Sequence, residues 1–189
     1  MKNIPPEKLR YLDDMKVTLR GSSDPELIRS HQHLVIDWLG ESFGRTTIRG
    51  IELVSDEHAD GTGYGKGVSP GHTFLAGFGF SHMTQWGRAA AVLGMTIDSL
   101  TETIDASFDR RGEYLYDEGA AHPGFTDISF EVRIETTAPP EQVRAFIRWA
   151  DRSPPHATLR RAVRLVGTYV LNGSPFASAI YHADRTEWR

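Results

Sequence analysis

The chain has 189 residues, 39% hydrophobic and 24% charged, with a formal net charge of −4. That length can bury a substantial core in one domain, and the acidic balance gives no electrostatic footprint for nucleic acid. The absence of cysteine removes disulfides, thiolate metal sites and thiol catalysis together. The opening Met1-Lys2-Asn3-Ile4-Pro5-Pro6-Glu7-Lys8 has no apolar core and does not read as a secretory signal. The longest apolar stretch, around Phe74 to Met95, is interrupted by His82, Gln85 and Arg88, so no membrane span is expected. The expectation is a soluble, cytoplasmic protein.

In chain order, Met15 to Arg20 reads as a strand ended by Gly21-Ser22-Ser23-Asp24-Pro25. A second strand, about His31 to Trp38, sets His33, Val35 and Asp37 against Leu34, Ile36 and Trp38, a pattern that suggests a sheet with one dry face. A third covers Thr47 to Val54. A polar, glycine-rich loop from Ser55 to Gly67 precedes the strongest start signal in the chain, Ser69 as N-cap and Pro70 at the first helical position. The helix is expected to run to Leu93 with Gly94 stopping it. Its apolar residues, Phe74, Leu75, Phe78, Phe80, Met83, Trp86, Ala90, Val92 and Leu93, predict burial nearly all round. Its glycines, Gly71, Gly77, Gly79 and Gly87, suggest close packing against another backbone.

The second half predicts strands near Ile97 to Phe108 and Phe125 to Thr136, joined by a loop rich in Gly, Tyr and acidic residues. The second alternates Ile128, Phe130, Val132 and Ile134 inward. Pro139-Pro140-Glu141 opens a helix with Val143, Phe146, Ile147 and Ala150 on one face. Ser153-Pro154-Pro155 breaks it, and a further helix, about His156 to Arg164, leads into strands Leu165 to Leu171 and Phe176 to His182, then a polar tail. The order β-β-β-α-β-β-α-α-β-β gives an α+β fold, residues 1–189 forming a single domain.

Several local motifs carry ordinary readings. Gly61-Thr62-Gly63-Tyr64-Gly65-Lys66-Gly67 lacks phosphate-loop spacing and is a connection into the central helix. Arg160, Arg161 and Arg164 at helical spacing read as a solvated face. His31 and His33, two apart on a strand, have a spacing that suits metal ligation. Eight histidines without a His-Glu-x-x-His pattern nevertheless point to no metal. Ser81-His82 lacks a nucleophile elbow, and helix neighbours point about 100° apart.

Two segments belong together: Ser69-Pro70-Gly71-His72-Thr73-Phe74-Leu75-Ala76-Gly77-Phe78-Gly79-Phe80-Ser81-His82-Met83-Thr84, and Ser153-Pro154-Pro155-His156-Ala157-Thr158-Leu159. A proline opening an apolar helix, a small reactive position eleven residues later and a distant x-Pro-x-x-x-x-Leu step resemble the OsmC/Ohr family (osmotically inducible protein, organic hydroperoxide resistance). That resemblance implies an OsmC-like fold, sheets packed on a buried central helix, in an intertwined homodimer with active sites at the interface. It also places the family's peroxide-attacking cysteine at Ser81 and its resolving cysteine at Ser153. The glutamate that follows the helix-opening proline in Ohr-type members falls at Gly71. The thiolate-polarising arginine falls at Arg20, Arg45 or Arg49.

Peroxide reduction needs a thiolate that becomes a sulfenic acid and a second thiol to resolve it. A serine hydroxyl has no such oxidation ladder and is a weak nucleophile without a base. Thiol-dependent hydroperoxide reductase activity is therefore expected to be absent. Three functions remain. The first is a cysteine-less relative that binds a small apolar or aromatic molecule in a dimer-interface pocket. Its contacts would be His72, Phe78, Met83, Trp86 and His156, with Ser81, Ser153 and His82 at or beside the family's cysteine positions and Phe74, Phe80 and Trp149 as further lining. The second is a His/Ser- or metal-assisted hydrolase or isomerase on the same pocket, and the third a stress-response relative of the peroxide-defence proteins. No cofactor, membrane or nucleic-acid partner is expected.

Overall fold

A computed structural model describes residues 6–115 and 121–189. The opening residues 1–5, and the part of the Gly-, Tyr- and acid-rich connection at 116–120, lie outside them. The chain divides into two compact units, one of residues 10–77 and one of Phe78–Arg189 with the residues up to Leu9.

The first unit carries the larger departures from the sequence reading. The stretch expected as a first strand is the end of helix α1 (Pro6–Leu19). Pro6 takes the first helical position, where its missing N–H costs nothing, and Lys16 pairs with Asp13 one turn back at 3.0 Å. A short α2 (Pro25–Ile28) follows, capped by the Asp24 side chain on the Glu26 N–H. The expected strand at His31 to Trp38 survives only as β1 (Asp37–Gly40), and Leu34, Val35, Ile36 and Trp38 are all exposed, so it has no dry face. The third expected strand is two: β2 (Phe43–Ile48) and β3 (Ile51–Ser55), antiparallel in a sheet of order β1-β2-β3. They turn at Arg49-Gly50, both at positive φ (53° and 81°), the two left-handed positions a tight hairpin turn requires.

The glycine-rich loop is tied down by one carboxylate. Asp56 is buried and accepts from the backbone N–H groups of Tyr64 and Lys66 at 3.0 Å each, and from the Ser42 hydroxyl at 3.3 Å. Burial, the largest single influence, pushes its carboxyl up, but these bonds to the charged form together hold it below the usual value.

The second unit contains the core. α3 (Pro70–Leu93) crosses from one unit to the other and has the bounds the sequence predicts. At its end Gly94 adopts φ 61° while Met95 N–H bonds Ala90 C=O at 2.8 Å, the left-handed stop that favours glycine. Within the second unit the helix buries one stripe, Phe78, Gly79, His82, Gln85, Trp86, Ala89 and Ala90, whereas Phe80 is 72% exposed and Val92 is also exposed. It is therefore not buried all round. Of its glycines, Gly71 and Gly77 face open space, and Gly79 is a close approach, a Cβ there falling 2.9 Å from Ile104 Cδ1.

That stripe belongs with a five-stranded sheet of order β4-β5-β6-β7-β8. β4 (Ser99–Phe108) and β5 (Phe125–Glu135) form the expected long hairpin, with a five-residue helix α4 (Arg110–Tyr114) in the connection. α5 (Pro140–Ile147) tightens into a 3-10 turn (Arg148–Arg152) and is followed by α6 (Pro154–Leu159). The chain then returns as β6 (Arg164–Leu171) parallel to β5, as a crossover permits. β7 (Ser174–Tyr181) pairs antiparallel through an Asn172-Gly173 turn, and the expected polar tail forms a short strand, β8 (Thr186–Trp188). Ile128, Phe130, Val132 and Ile134 are buried as the alternation predicts, with Val143, Phe146, Ile147, Ala150, Leu165, Tyr169, Ala179 and Tyr181. Gly167 lies under the Phe130 ring, where a Cβ would meet Cζ at 2.6 Å.

Candidate functional site

Two polar bridges tie α3 to α6, side by side in sequence. The first joins the two serines: Ser153 Oγ and Ser81 Oγ are 2.9 Å apart. Ser153 is the N-cap of α6, its hydroxyl oxygen accepting the His156 N–H at 3.3 Å, as serine does where a helix begins. Its burial fixes the direction of the bond. Ser153 is inaccessible to solvent, so its own proton has to be donated within the protein, and Ser81 is the acceptor. The Ser81 proton then has no acceptor among the described residues, and Ser81 is only half-buried.

The second bridge stands one residue further along α3 and three residues further along the α6 end. His82 Nε2 is 2.9 Å from His156 Nδ1, and His82 Nδ1 is 2.8 Å from Glu102 Oε1. Both rings are fully buried, and the Glu102 side chain is only 2% exposed. Phe78, Trp86 and Phe130 pack around His82, and Phe78, Phe130 and Tyr181 around His156. Beyond His156, its Nε2 faces Asp151 Oδ1 at 3.7 Å, an ion-pair separation rather than a hydrogen bond. Arg160 closes the row, 3.1 Å from the same Asp151 oxygen and bonded to the carbonyls of His182 and Arg185. Arg160 is thus a structural tie and not part of a solvated face.

The electrostatics follow from burial. Desolvation first, then the charges of His82 and Arg160, bring His156 down to about 3, so it is neutral at physiological pH. Burial raises Asp151 against the opposing pull of Arg160, Thr186 and His82.

The expected site residues are distributed unevenly. Ser81, Ser153, His82 and His156 come together. Phe78 and Trp86 are core side chains, Phe78 edge-on to Phe130 at 5.9 Å and Trp86 stacked on Phe146 at 6.3 Å. Met83 is exposed and Trp149 half-buried under the Arg152 guanidinium at 4.7 Å. His72 belongs to the other unit, is exposed, and pairs its Nδ1 with the Ser69 hydroxyl at 2.6 Å. His31 and His33 are exposed, and among the described residues no group of three or more His, Cys, Asp or Glu side chains could hold a metal ion. A cavity of about 170 Å³ lined by Arg144, Ile147, Arg148, Ala177, Trp188 and Arg189 contains none of the expected residues.

Glu102 and Asp151 escaped the sequence reading, which took Arg160 only as part of a solvated face. The signal for Glu102 was in the alternation of β4: Leu100, Glu102, Ile104 and Ala106 share the covered face, and a carboxylate on such a face needs a buried partner. Asp151 and Arg160 carried no comparable pattern.

Comparison with known proteins supports the fold. An OsmC-like protein from Mycoplasma pneumoniae has a similar structure, with a TM-score of 0.65 at 16% identity over 76% of this chain and 99% of that one. The organic hydroperoxide resistance protein OsmC of Legionella pneumophila matches with a TM-score of 0.56 at 15% identity, covering 75% and 99%. A putative organic hydroperoxide resistance protein from Vibrio cholerae, with captopril bound in one of its active sites, matches at 0.53 and 15% identity over 78% and 96%. A search of curated proteins finds none that matches this sequence. Among the described residues no helix is long and apolar enough to cross a membrane. The family model for OsmC-like protein matches residues 63–166, more than half of the chain and all of α3 through the start of β6, and on that match the chain belongs to the OsmC-like family.

Proposed function

We propose that this protein is a thiol-independent, homodimeric OsmC-like protein that binds a small apolar or aromatic molecule beside the Ser81–Ser153 pair. The observation that carries the reading is the direction of that hydrogen bond. Ser153 donates to Ser81, which leaves the Ser81 hydroxyl free to donate to a ligand oxygen such as a carbonyl or carboxylate. Exposed Phe80 and Met83 flank Ser81 in the sequence of α3 and supply apolar surface. The captopril bound in an active site of the Vibrio cholerae protein supports a ligand of this size on this fold.

Self-association is supported by the apolar side chains that α3 leaves exposed, Phe80, Met83 and Val92, surface that an interaction could cover. A hydroperoxide reductase of the family's kind is disfavoured because neither position carries sulfur. A second reading, an acid–base enzyme on the same junction, is favoured by one observation: a buried carboxylate–histidine–histidine row directly beside the serine pair, the arrangement that orients a general base.

The test is a thermal-shift screen with aliphatic and aromatic carboxylic acids and ketones, run beside a peroxide-consumption assay with a dithiol. A bound probe at a hundredfold its Kd stabilises by about 2.7 kcal/mol, and Ser81→Ala should weaken that probe several-fold. Peroxide loss should stay at the buffer rate. Thiol-dependent turnover, or a flat response across the acids and ketones, overturns the proposal.

A further inference from the structure

We infer that Glu102, His82, His156 and Asp151 form a proton relay from the protein surface into its core, with His82 stored as an imidazolium against Glu102. Nothing in the family assignment or in the serine pair requires this, and it stands whether or not a ligand binds at Ser81.

The argument is one of donor and acceptor counting. Each neutral imidazole has one N–H and one lone pair. If both rings are neutral, His82 donates Nδ1–H to Glu102 and its Nε2 must accept from His156 Nδ1–H. His156 Nε2 is then a bare lone pair, buried, without a hydrogen-bond partner among the described residues, facing the Asp151 carboxylate at 3.7 Å. That places acceptor against acceptor. One added proton removes the conflict. His82 then donates from both nitrogens, to Glu102 Oε1 and to His156 Nδ1, and His156 turns its N–H toward Asp151. The imidazolium and the buried carboxylate neutralise each other, which is how a buried charge is tolerated.

The two states interconvert without moving either ring. On release, the His82 Nε2–H proton passes to His156 Nδ1 while the His156 Nε2–H proton leaves toward Asp151; uptake is the reverse. Protons balance at one in and one out, and His156 never carries two. Asp151 is 31% exposed at its side chain, so it meets solvent where His82 and Glu102 do not. The groups facing the pair are few. Glu102 comes from β4, Asp151 from the 3-10 turn and Arg160 from just beyond α6. The Tyr181 ring from β7 lies 4.3 Å from His156, its hydroxyl paired with Tyr169 from β6 at 2.6 Å. Both tyrosines are held neutral by burial. At the inner end Glu102 Oε2 is buried and has no hydrogen-bond partner among the described residues.

The test is long-range nitrogen–proton NMR of the histidine rings in the full, unliganded chain. At pH 7 His82 should show both nitrogens protonated and His156 the neutral tautomer protonated at Nε2. A singly protonated His82 at pH 7 overturns the inference. For the relay itself, Asp151→Asn should slow exchange of the buried ring protons with water tenfold or more while urea unfolding confirms the fold. Exchange unchanged in D151N overturns it. Because no ligand is present, neither outcome depends on the proposed binding function.

Discussion

Residues 78–189 and residues 10–77 solve the problem of burial in opposite ways. Every buried apolar side chain among the described residues lies at Phe78 or beyond, whereas the first unit buries only Thr46 and Asp56. Its sheet instead exposes Trp38 and Ile51, at 76% and 72%, with Val35, Ile36 and Ile48. A three-stranded sheet needs a covered apolar face for independent stability. Within its unit this one is tied by Thr46 donating to the Val35 carbonyl at 2.6 Å, by the Asp56 knot, and by the edge-on Phe43–Tyr64 pair at 6.2 Å. The comparison teaches that the second unit buries an apolar core of its own, while the first leaves the apolar side chains of its sheet exposed.

The largest expected effect is in that core. Phe130→Ala should cost about 3–5 kcal/mol in urea unfolding, since Phe130 packs on Phe78, His82, His156, Tyr169 and Tyr181 at once. A loss as small as that of a surface substitution would break the contrast.

Next is the α3–α6 junction. With the two hydroxyl oxygens 2.9 Å apart across a sequence separation of 72 residues, S81C/S153C should be oxidised to a disulfide by added oxidant, seen as the loss of the mass of both thiol hydrogens, which a reductant restores. The cross-link should raise stability by about 2–4 kcal/mol. Two free thiols persisting under oxidant would mean the serines are not held together in solution.

Acid should then act on the second unit selectively. His156 is held near 3 when folded, against about 6.5 when unfolded. The unfolded chain therefore binds the proton more readily between those values, and stability must fall as pH falls. The full contribution is present above about 6.5 and is lost at up to about 1.4 kcal/mol per pH unit on the way to 3. Hydrogen exchange should show this first in β5 and α6. Flat stability from pH 7 to 4 would contradict a buried neutral imidazole.

The smallest stability change should come from Ile51→Ser, within about 0.5 kcal/mol at low protein concentration. It sharpens the comparison through another observable. If the exposed sheet is an interface, the same substitution should raise the concentration at which the protein self-associates, as sedimentation would show. A cost like that of Phe130→Ala in a dilute monomer would mean Ile51 is already covered.

Legibility tracked the strength of local signals. α3 was readable to the residue because Ser69-Pro70 and Gly94 are backbone-level start and stop marks. β5 was readable because Ile128, Phe130, Val132 and Ile134 alternate with polar neighbours without a break. The run Met15 to Arg20 failed because six residues cannot distinguish period 2 from period 3.6, and the weight of the decision lay upstream, in Pro6. The Thr47 to Val54 reading failed because arginine at Arg49 is an unusual choice for a left-handed turn position, although Gly50 beside it marked the place. At the site, the serine pair was legible only through family resemblance. The histidine pair was named as candidates, but nothing in sequence aligned His82 with His156 or aimed Glu102 at either.

What the amino-acid sequence determined by itself is what local chemistry can fix: the central helix and its ends, the β5 alternation, and the loss of sulfur redox chemistry with the loss of cysteine. Only the tertiary structure decided that Ser81 meets Ser153 and His82 meets His156, because those contacts join residues more than seventy positions apart. It also decided which face of α3 is dry. The apolar residues of that helix surround its axis in the sequence, and burial selects among them only when a sheet arrives on one side.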